Sequence, residues 1–230
     1  MSWLFKIKQN EKIFRFTIFS ISIFPAILLY YKYSTAGLGI NPFATLSHQT
    51  GHIAIVYILL TLSITPIRRF LCNVSIKLNL NRGKRLSDWN FLIKSRRQLG
   101  LFSFFYSALH LSAYLFLDIG WSWEYFSDDL AERSFIIYGL VNFIMLFLLA
   151  ITSPTIVRKK MGRWWKKVHR LMYLIAILSI VHFVFAAKHG NNWSIVYGTI
   201  CLVLLSNRAW IFLSNKSRRQ KDDGLETYRN

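Results

Sequence analysis

The sequence has 230 residues, 53% hydrophobic and 17% aromatic, and 29 Lys and Arg against 10 Asp and Glu give it a formal net charge of +19. Several runs of 18 or more residues are almost free of charge, which places the chain among polytopic membrane proteins. A nucleotide-binding domain is excluded, because the longest polar segment, 68–97, is too short and no GxGxxG or P-loop string occurs; Cys72 and Cys201 form no CxxC or CxxCH, which removes a disulfide scaffold, a zinc ribbon and covalent c-type haem.

In chain order, a basic start with Lys6, Lys8, Lys12 and Arg15 leads into an apolar run over 16–31, the first expected span, with Pro25 as a kink. The YYKY at 30–33 reads as an interfacial aromatic belt, and no small-residue cleavage site follows, so the segment is expected to stay as an anchor. A loop over 34–47 carries the breakers Gly37, Gly39 and Pro42. The second span, 48–67, opens with HQTGH and closes with TPIRRF, where Pro66 is expected to end the helix. A basic loop follows, and then a third span from about Arg96 to Asp118 that contains His110. The next loop is the only acidic one, with Glu124, Asp128, Asp129 and Glu132 beside the headgroup anchors Trp121 and Trp123. The fourth span covers 135–152. PTIVRKKMGRWWKKVHR has the composition of a helix lying on an anionic leaflet. The fifth span, 168–187, carries His169 at one mouth and His182 well inside; a short loop with Lys188 and His189 precedes the sixth, 193–213.

The expected fold is therefore all-α: a six-helix transmembrane bundle over 16–213, with a 1–15 segment and a polar tail, 214–230, read as disordered. With six spans, 26 of the 29 Lys and Arg fall on one side, and only Lys32, Arg133 and Lys188 on the other, which predicts both termini in the cytoplasm. The positive charge is thus a topological signal for a chain in contact with lipid, and no nucleic-acid partner is expected.

His110 and His182 each lie 13 residues from a residue at the cytoplasmic edge, Arg97 and His169 respectively, so the two are expected at equal depth in the outer half of the bilayer. Equal depth on neighbouring helices lets two imidazoles ligate one iron from opposite faces of a haem, an arrangement suited to moving single electrons. Ser107, Ala108, Ser112, Ala113, Ser179 and Ala186 are small enough for a porphyrin plane to approach. The competing reading is that each histidine only hydrogen-bonds a neighbouring helix. His169 is expected about 140° around the helix from His182, with Arg96 or Arg97 across from it rather than a histidine, so a second bis-histidine site is incomplete. It remains a ligand with an unknown mate, a group near a flavin or quinone, or an interface residue. His52 is the most plausible substitute ligand or quinone-site group, while His48 and His189 are expected near the outer surface. No acidic residue falls inside a span, which argues against a carboxylate relay, and no hydrolase triad or other catalytic residue is assigned.

The stretches GLGINP, HQTGH with ITPIRR, RRQLGLFSFFYSALHLSAYLFLDIG and ITSPTIVRKKMGRWWKKVHRLMYLIAILSIVHF resemble the MsrQ (YedZ) family. These are the haem-binding membrane subunits of the bacterial periplasmic methionine sulfoxide reductase system, within the ferric-reductase-like transmembrane superfamily. The family's three histidines fall on His110, His169 and His182. The resemblance implies b-type haem, FMN, and a place in the bacterial inner membrane. It further implies electron delivery from the quinone pool, or from a cytoplasmic flavin reductase, to a periplasmic molybdopterin-containing catalytic subunit that reduces protein methionine sulfoxide. Two departures stand out: ERSFIIYG at 132–139 lacks the proline of the family's KRPYITLG, and His52 stands where the family carries Arg. Three function classes follow: an electron-transfer subunit of an oxidoreductase complex, a self-sufficient metal reductase, which lacks here the appended flavin and nicotinamide domain, and a redox-inert membrane protein with structural histidines.

Overall fold

Long apolar runs have only one economical way to satisfy their backbone groups away from water, which is the helix. A computed structural model describes residues 11–35, 37, 39–187 and 192–227, the side chains of 11 and 215–227 excepted, and no strand occurs among them. Six helical segments are long and apolar enough to cross a membrane: Lys12–Thr35, Pro42–Lys77, Leu86–Asp118, Ser134–Ile151, Arg163–Ala186 and Trp193–Ser214. The six-span expectation holds, and the chain is a multi-pass membrane protein. Lys188 and His189 lie outside the described residues.

The elements are α1 (Glu11–Thr35), α2 (Pro42–Lys77), a 3-10 turn (Leu86–Trp89), α3 (Asn90–Ala113), a π turn (Tyr114–Asp118), α4 (Trp123–Glu132), α5 (Ser134–Ile151), α6 (Thr155–Met161), α7 (Arg163–Val168), α8 (Leu171–Ala186) and α9 (Trp193–Thr227). Helices α2, α3, α5 and α8 pack in a ring, each against the next; α1 lies outside on α3, and α9 lies against α2 and α8. Two apolar clusters fill the ring and its flank. Ile58, Leu146, Ile175 and Cys201 join α2, α5, α8 and α9, while Tyr57, Phe102 and Tyr106 join α2 to α3. The outward faces of α1 and α9 carry exposed Phe16, Phe24, Leu202 and Phe212, a surface that suits lipid.

Pro25 and Pro66 sit inside helices that continue past them. At Pro25 the ring reorganises the ladder. The Tyr106 hydroxyl accepts from Ala26 N at 3.2 Å and donates to Ser22 O at 2.7 Å, standing between two groups that an uninterrupted helix joins directly. Pro66 does not end α2, contrary to expectation: the helix runs on to Lys77. The residues beyond it are held by tertiary contacts. Arg68 donates to the carbonyls of Trp89 and Leu86 and to Asn90 Oδ1, and Cys72 packs with buried Trp89 and Phe91. The segment 68–97 is thus mostly structured, a cap over the basic end of the bundle, with the Trp89 indole donating to Gly83 O at 2.9 Å.

Other boundaries shift as well. The loop expected over 34–47 is shorter, because Asn41 caps α2 through a 3.0 Å bond from Ala44 N, and Pro42 occupies the first helical position. The acidic loop contains α4, capped by Ser122, with Trp121 and Trp123 exposed. The amphipathic stretch after α5 is two short helices broken at Gly162, whose φ of +52° favours glycine. The tail read as disordered continues α9 to Thr227. Its Lys, Arg, Gln and Glu are good helix formers as well as disorder-prone residues, and extension of an existing helix needs no new nucleus.

Candidate functional site

A cavity of about 420 Å³ lies within the ring of α2, α3, α5 and α8. It reaches from Ile58 and Leu146 in the middle of the bundle to Asn41, Asp118 and Arg133 at the end away from the basic loops. Its walls are largely apolar, and His110 from α3 and His182 from α8 both project into it.

The structure brings these two histidines together. Their ring centroids are 6.1 Å apart, with the planes at 89°. The Nδ1–H of His110 donates to Ser47 O at 2.9 Å, and that of His182 donates to Phe135 O at 2.7 Å. A carbonyl can only accept, so each bond places the proton on Nδ1 and leaves Nε2 with its lone pair. Neither Nε2 has a hydrogen-bond partner among the described residues. Metal-ligating histidines are commonly fixed in this way, with the second ring nitrogen donating to a carbonyl that sets tautomer and orientation. A metal–nitrogen bond of about 2 Å on each side of an ion sets facing imidazole centroids about 6 Å apart, close to the separation observed.

Two glycines make room for the rings. A Cβ at Gly139 would stand 2.7 Å from His182 Cε1 and 2.9 Å from its Nδ1; at Gly51 it would stand 3.2 Å from the His110 ring. Sequence reading missed both. Gly51 lies inside HQTGH and Gly139 in a plain apolar span; each close approach is made across helices and has no local signature. Ser107, Ser179 and Ala186, expected to leave space, do line the cavity. So does Asn142, which donates to Ser179 Oγ at 2.7 Å and keeps a buried Oδ1 without a partner among the described residues.

No group of three or more His, Cys, Asp or Glu capable of holding a metal ion forms among the described residues. Two opposed imidazoles beside an apolar cavity suit an ion whose remaining ligands come with a planar macrocycle, so the residues fit a haem. They also suit electron transfer rather than hydrolysis, since two imidazoles would hold the iron and no carboxylate hydrogen-bonds to either ring among the described residues.

His52 lines the same cavity but is engaged elsewhere. Its Nδ1 is 3.0 Å from the Tyr197 hydroxyl, and its ring lies 5.2 Å from Phe183 and 6.1 Å from Trp193. Exposed His48 lies one turn away with its ring 6.4 Å from that of His52. At the cavity mouth, Tyr114 donates to Asp129 at 2.8 Å, and Arg133 pairs with Asp129 at 3.2 Å and Asp118 at 3.9 Å.

His169 differs from expectation in its setting. It lies in the break between α7 and α8, so an angle measured around one continuous helix to His182 does not apply. Its ring stacks on Trp165 at 4.1 Å, its Nε2 is 3.2 Å from Thr152 Oγ1, and the Trp165 indole donates to Thr152 O at 3.0 Å. As the spacing suggested, the facing residue is Arg96 and not a histidine; the two line a second, smaller cavity at the basic end.

Residues 50–180 match the family model described as ferric reductase like transmembrane component. The chain is 37% identical over 195 residues to the protein-methionine-sulfoxide reductase heme-binding subunit MsrQ of Herminiimonas arsenicoxydans, covering 83% of this chain and 80% of that protein. To the proteins of the same name from Xanthomonas oryzae pv. oryzae and Xanthomonas campestris pv. campestris it is 36% and 34% identical, covering 80% and 77% of this chain and 76% and 74% of theirs.

Proposed function

The chain belongs to the MsrQ family of haem-binding membrane subunits, within the ferric-reductase-like transmembrane group, and from that premise we propose that it is a haem b electron-transfer subunit of a bacterial inner-membrane methionine sulfoxide reductase system. The observation that carries the reading is the His110–His182 pair, with each Nδ1 tied to a backbone carbonyl and each Nε2 without a hydrogen-bond partner among the described residues. Haem b, when bound, supplies a one-electron couple. The protein supplies the rest. His110 and His182 would hold the iron, the carbonyls of Ser47 and Phe135 lock their tautomers, Gly51 and Gly139 let the rings seat, and the apolar walls would keep water away.

The reading also has a direction. The distribution of Lys and Arg supports a cytoplasmic basic end and puts the histidine pair in the outer half of the membrane. Electrons then enter from quinol, or from a cytoplasmic flavin reductase with FMN as carrier, and leave outward to a periplasmic molybdopterin-containing catalytic subunit. On this reading His169 stands at the entry end and is not part of the outer pair, and His52 is a wall of the haem cavity. The acidic segment from Asp118 to Glu132 is the docking face for the acceptor.

Inside-out and right-side-out vesicles test the direction. With the haem reduced, adding the periplasmic reductase and methionine sulfoxide should give fast reoxidation only when the outer face is accessible. Reoxidation from the cytoplasmic face alone would favour the competing reading, a ferric or other metal reductase of the transmembrane cytochrome b type.

A further inference from the structure

The cavity at the basic end is small, about 60 Å³, and bounded by α2, α3, α8 and α9 beside His169. That is room for about four waters, enough for one tetrahedral oxyanion and far too little for a porphyrin. Its polar lining is rich in donors. Arg96 Nη2 donates to Thr65 Oγ1 at 2.5 Å, and Arg208 Nη1 reaches the same oxygen at 3.4 Å. Arg96 Nε is buried with no hydrogen-bond partner among the described residues, and the Arg208 guanidinium lies 5.9 Å from the Tyr173 ring centroid. Among the described residues no carboxylate pairs with either arginine; the ion pairs gather at Arg133, at the opposite end of the bundle.

Two guanidinium groups converging on one neutral hydroxyl are an incomplete arrangement. Like charges repel, the hydroxyl has only two lone pairs, and a buried guanidinium N–H without an acceptor is costly. An oxyanion completes it, because arginine forks match the oxygens of a phosphate and the charges offset one another. Location favours a lipid as its source. The site is at the basic end, Arg208 is exposed where α9 borders the cavity, and Leu62, Leu204 and Leu205 give the cavity an apolar wall on which an acyl chain can lie. Basic pockets between membrane helices at an anionic leaflet recruit headgroups in this manner.

We propose that Arg96, Arg208 and Thr65 form a binding site for the phosphate of an anionic phospholipid, wedged between α2, α3, α8 and α9 at the basic end. The ligand neutralises the paired arginines and fastens α9 to the ring. The site is defined without reference to haem, and its test reads lipid, so its failure leaves the electron-transfer reading untouched.

The full chain is purified from lipid-exchanged detergent, and retained phospholipid is counted by native mass spectrometry. One arm supplies phosphatidylglycerol or phosphatidylcholine; the other supplies inorganic phosphate. The wild type should keep one phosphatidylglycerol through delipidation that phosphatidylcholine does not replace. Arg208→Gln and Arg96→Gln should each lower that retention about fivefold, from the usual contribution of one cation near an anionic surface. Arg208→Lys should restore most of it, and Lys77→Gln, a basic-end residue outside the cavity, should change nothing. Displacement of the lipid by inorganic phosphate, lost in the same variants, supports the oxyanion site and reassigns its source to a soluble phosphate. Equal retention by the wild type and Arg208→Gln in both arms overturns the proposal; Arg208 decides because its exposed side chain can be changed without opening the core.

Discussion

The two ends of this bundle hold histidines in opposite ways. At the end away from the basic loops, His110 and His182 face each other across a large apolar cavity, each with one nitrogen spent on a carbonyl and the other unengaged. At the basic end, His169 has its Nε2 on Thr152, its ring on Trp165 and an arginine opposite. Histidines near or within membrane spans thus stand here in two different settings. What distinguishes the first pair is mutual placement, a fixed tautomer and empty space beside it; the second is woven into the break between two helices.

The sharpest way to break this contrast is to remove one member of each set. His110→Ala or His182→Ala should abolish the main haem absorbance while the protein still inserts, since hydropathy and loop charge specify the spans. His169→Ala should leave that absorbance in place. Three spectra indistinguishable from the wild type would shift attention to His52.

The next effect concerns the glycines. Gly139→Ala places a Cβ within 2.7 Å of the His182 ring, so the ring must turn and strain its bond to Phe135 O. Haem retention should fall by about tenfold to a hundredfold, the usual consequence of disturbing what orients a ligand. Gly51→Ala, at 3.2 Å from His110, should cost less. Haem titration of the purified variants gives the order, and the reverse order would contradict the geometry.

A smaller effect separates scaffold from site. Trp89→Ala removes the buried indole that closes the basic end, and should destabilise the protein by about 3–5 kcal/mol in a thermal or denaturant melt. Haem ligation at the other end should persist at temperatures below the transition. Loss of haem in step with Trp89 at low temperature would show that the two ends are coupled.

Much of this was legible in the sequence, for reasons that can be traced to particular residues. The spans could be read because lipid leaves the backbone one local solution, and the His110–His182 pairing could be read because each stands 13 residues after a residue at the basic edge, Arg97 and His169. Pro66 departs from expectation because local preference predicts a helix end there, while the bond from Arg68 to Trp89 O, a loop away, holds the residues beyond it. The break at His169 falls where the basic stretch RWWKKVHR overlaps the start of the fifth span, so neither pattern marks its exact position. Gly51, Gly139 and the meeting of Arg96 with Arg208 arise only when helices distant in sequence pack, so no window along the chain could contain them.

The ring planes sharpen the account by one step more. If the imidazoles keep their near-perpendicular relation when ligating, the ferric protein should give the strongly axial low-spin resonance of perpendicular ligands and not a rhombic one. A rhombic signal would mean that one ring turns on binding and that its carbonyl bond is rebuilt.

The most direct measurement is the optical spectrum of the purified full chain, supplied with haem and reduced in the presence of carbon monoxide. Two histidine ligands on one iron predict a six-coordinate, low-spin b-type spectrum that carbon monoxide changes little and that His182→Ala removes. A five-coordinate, carbon monoxide-binding haem, or no absorbance after full supplementation, would contradict the account.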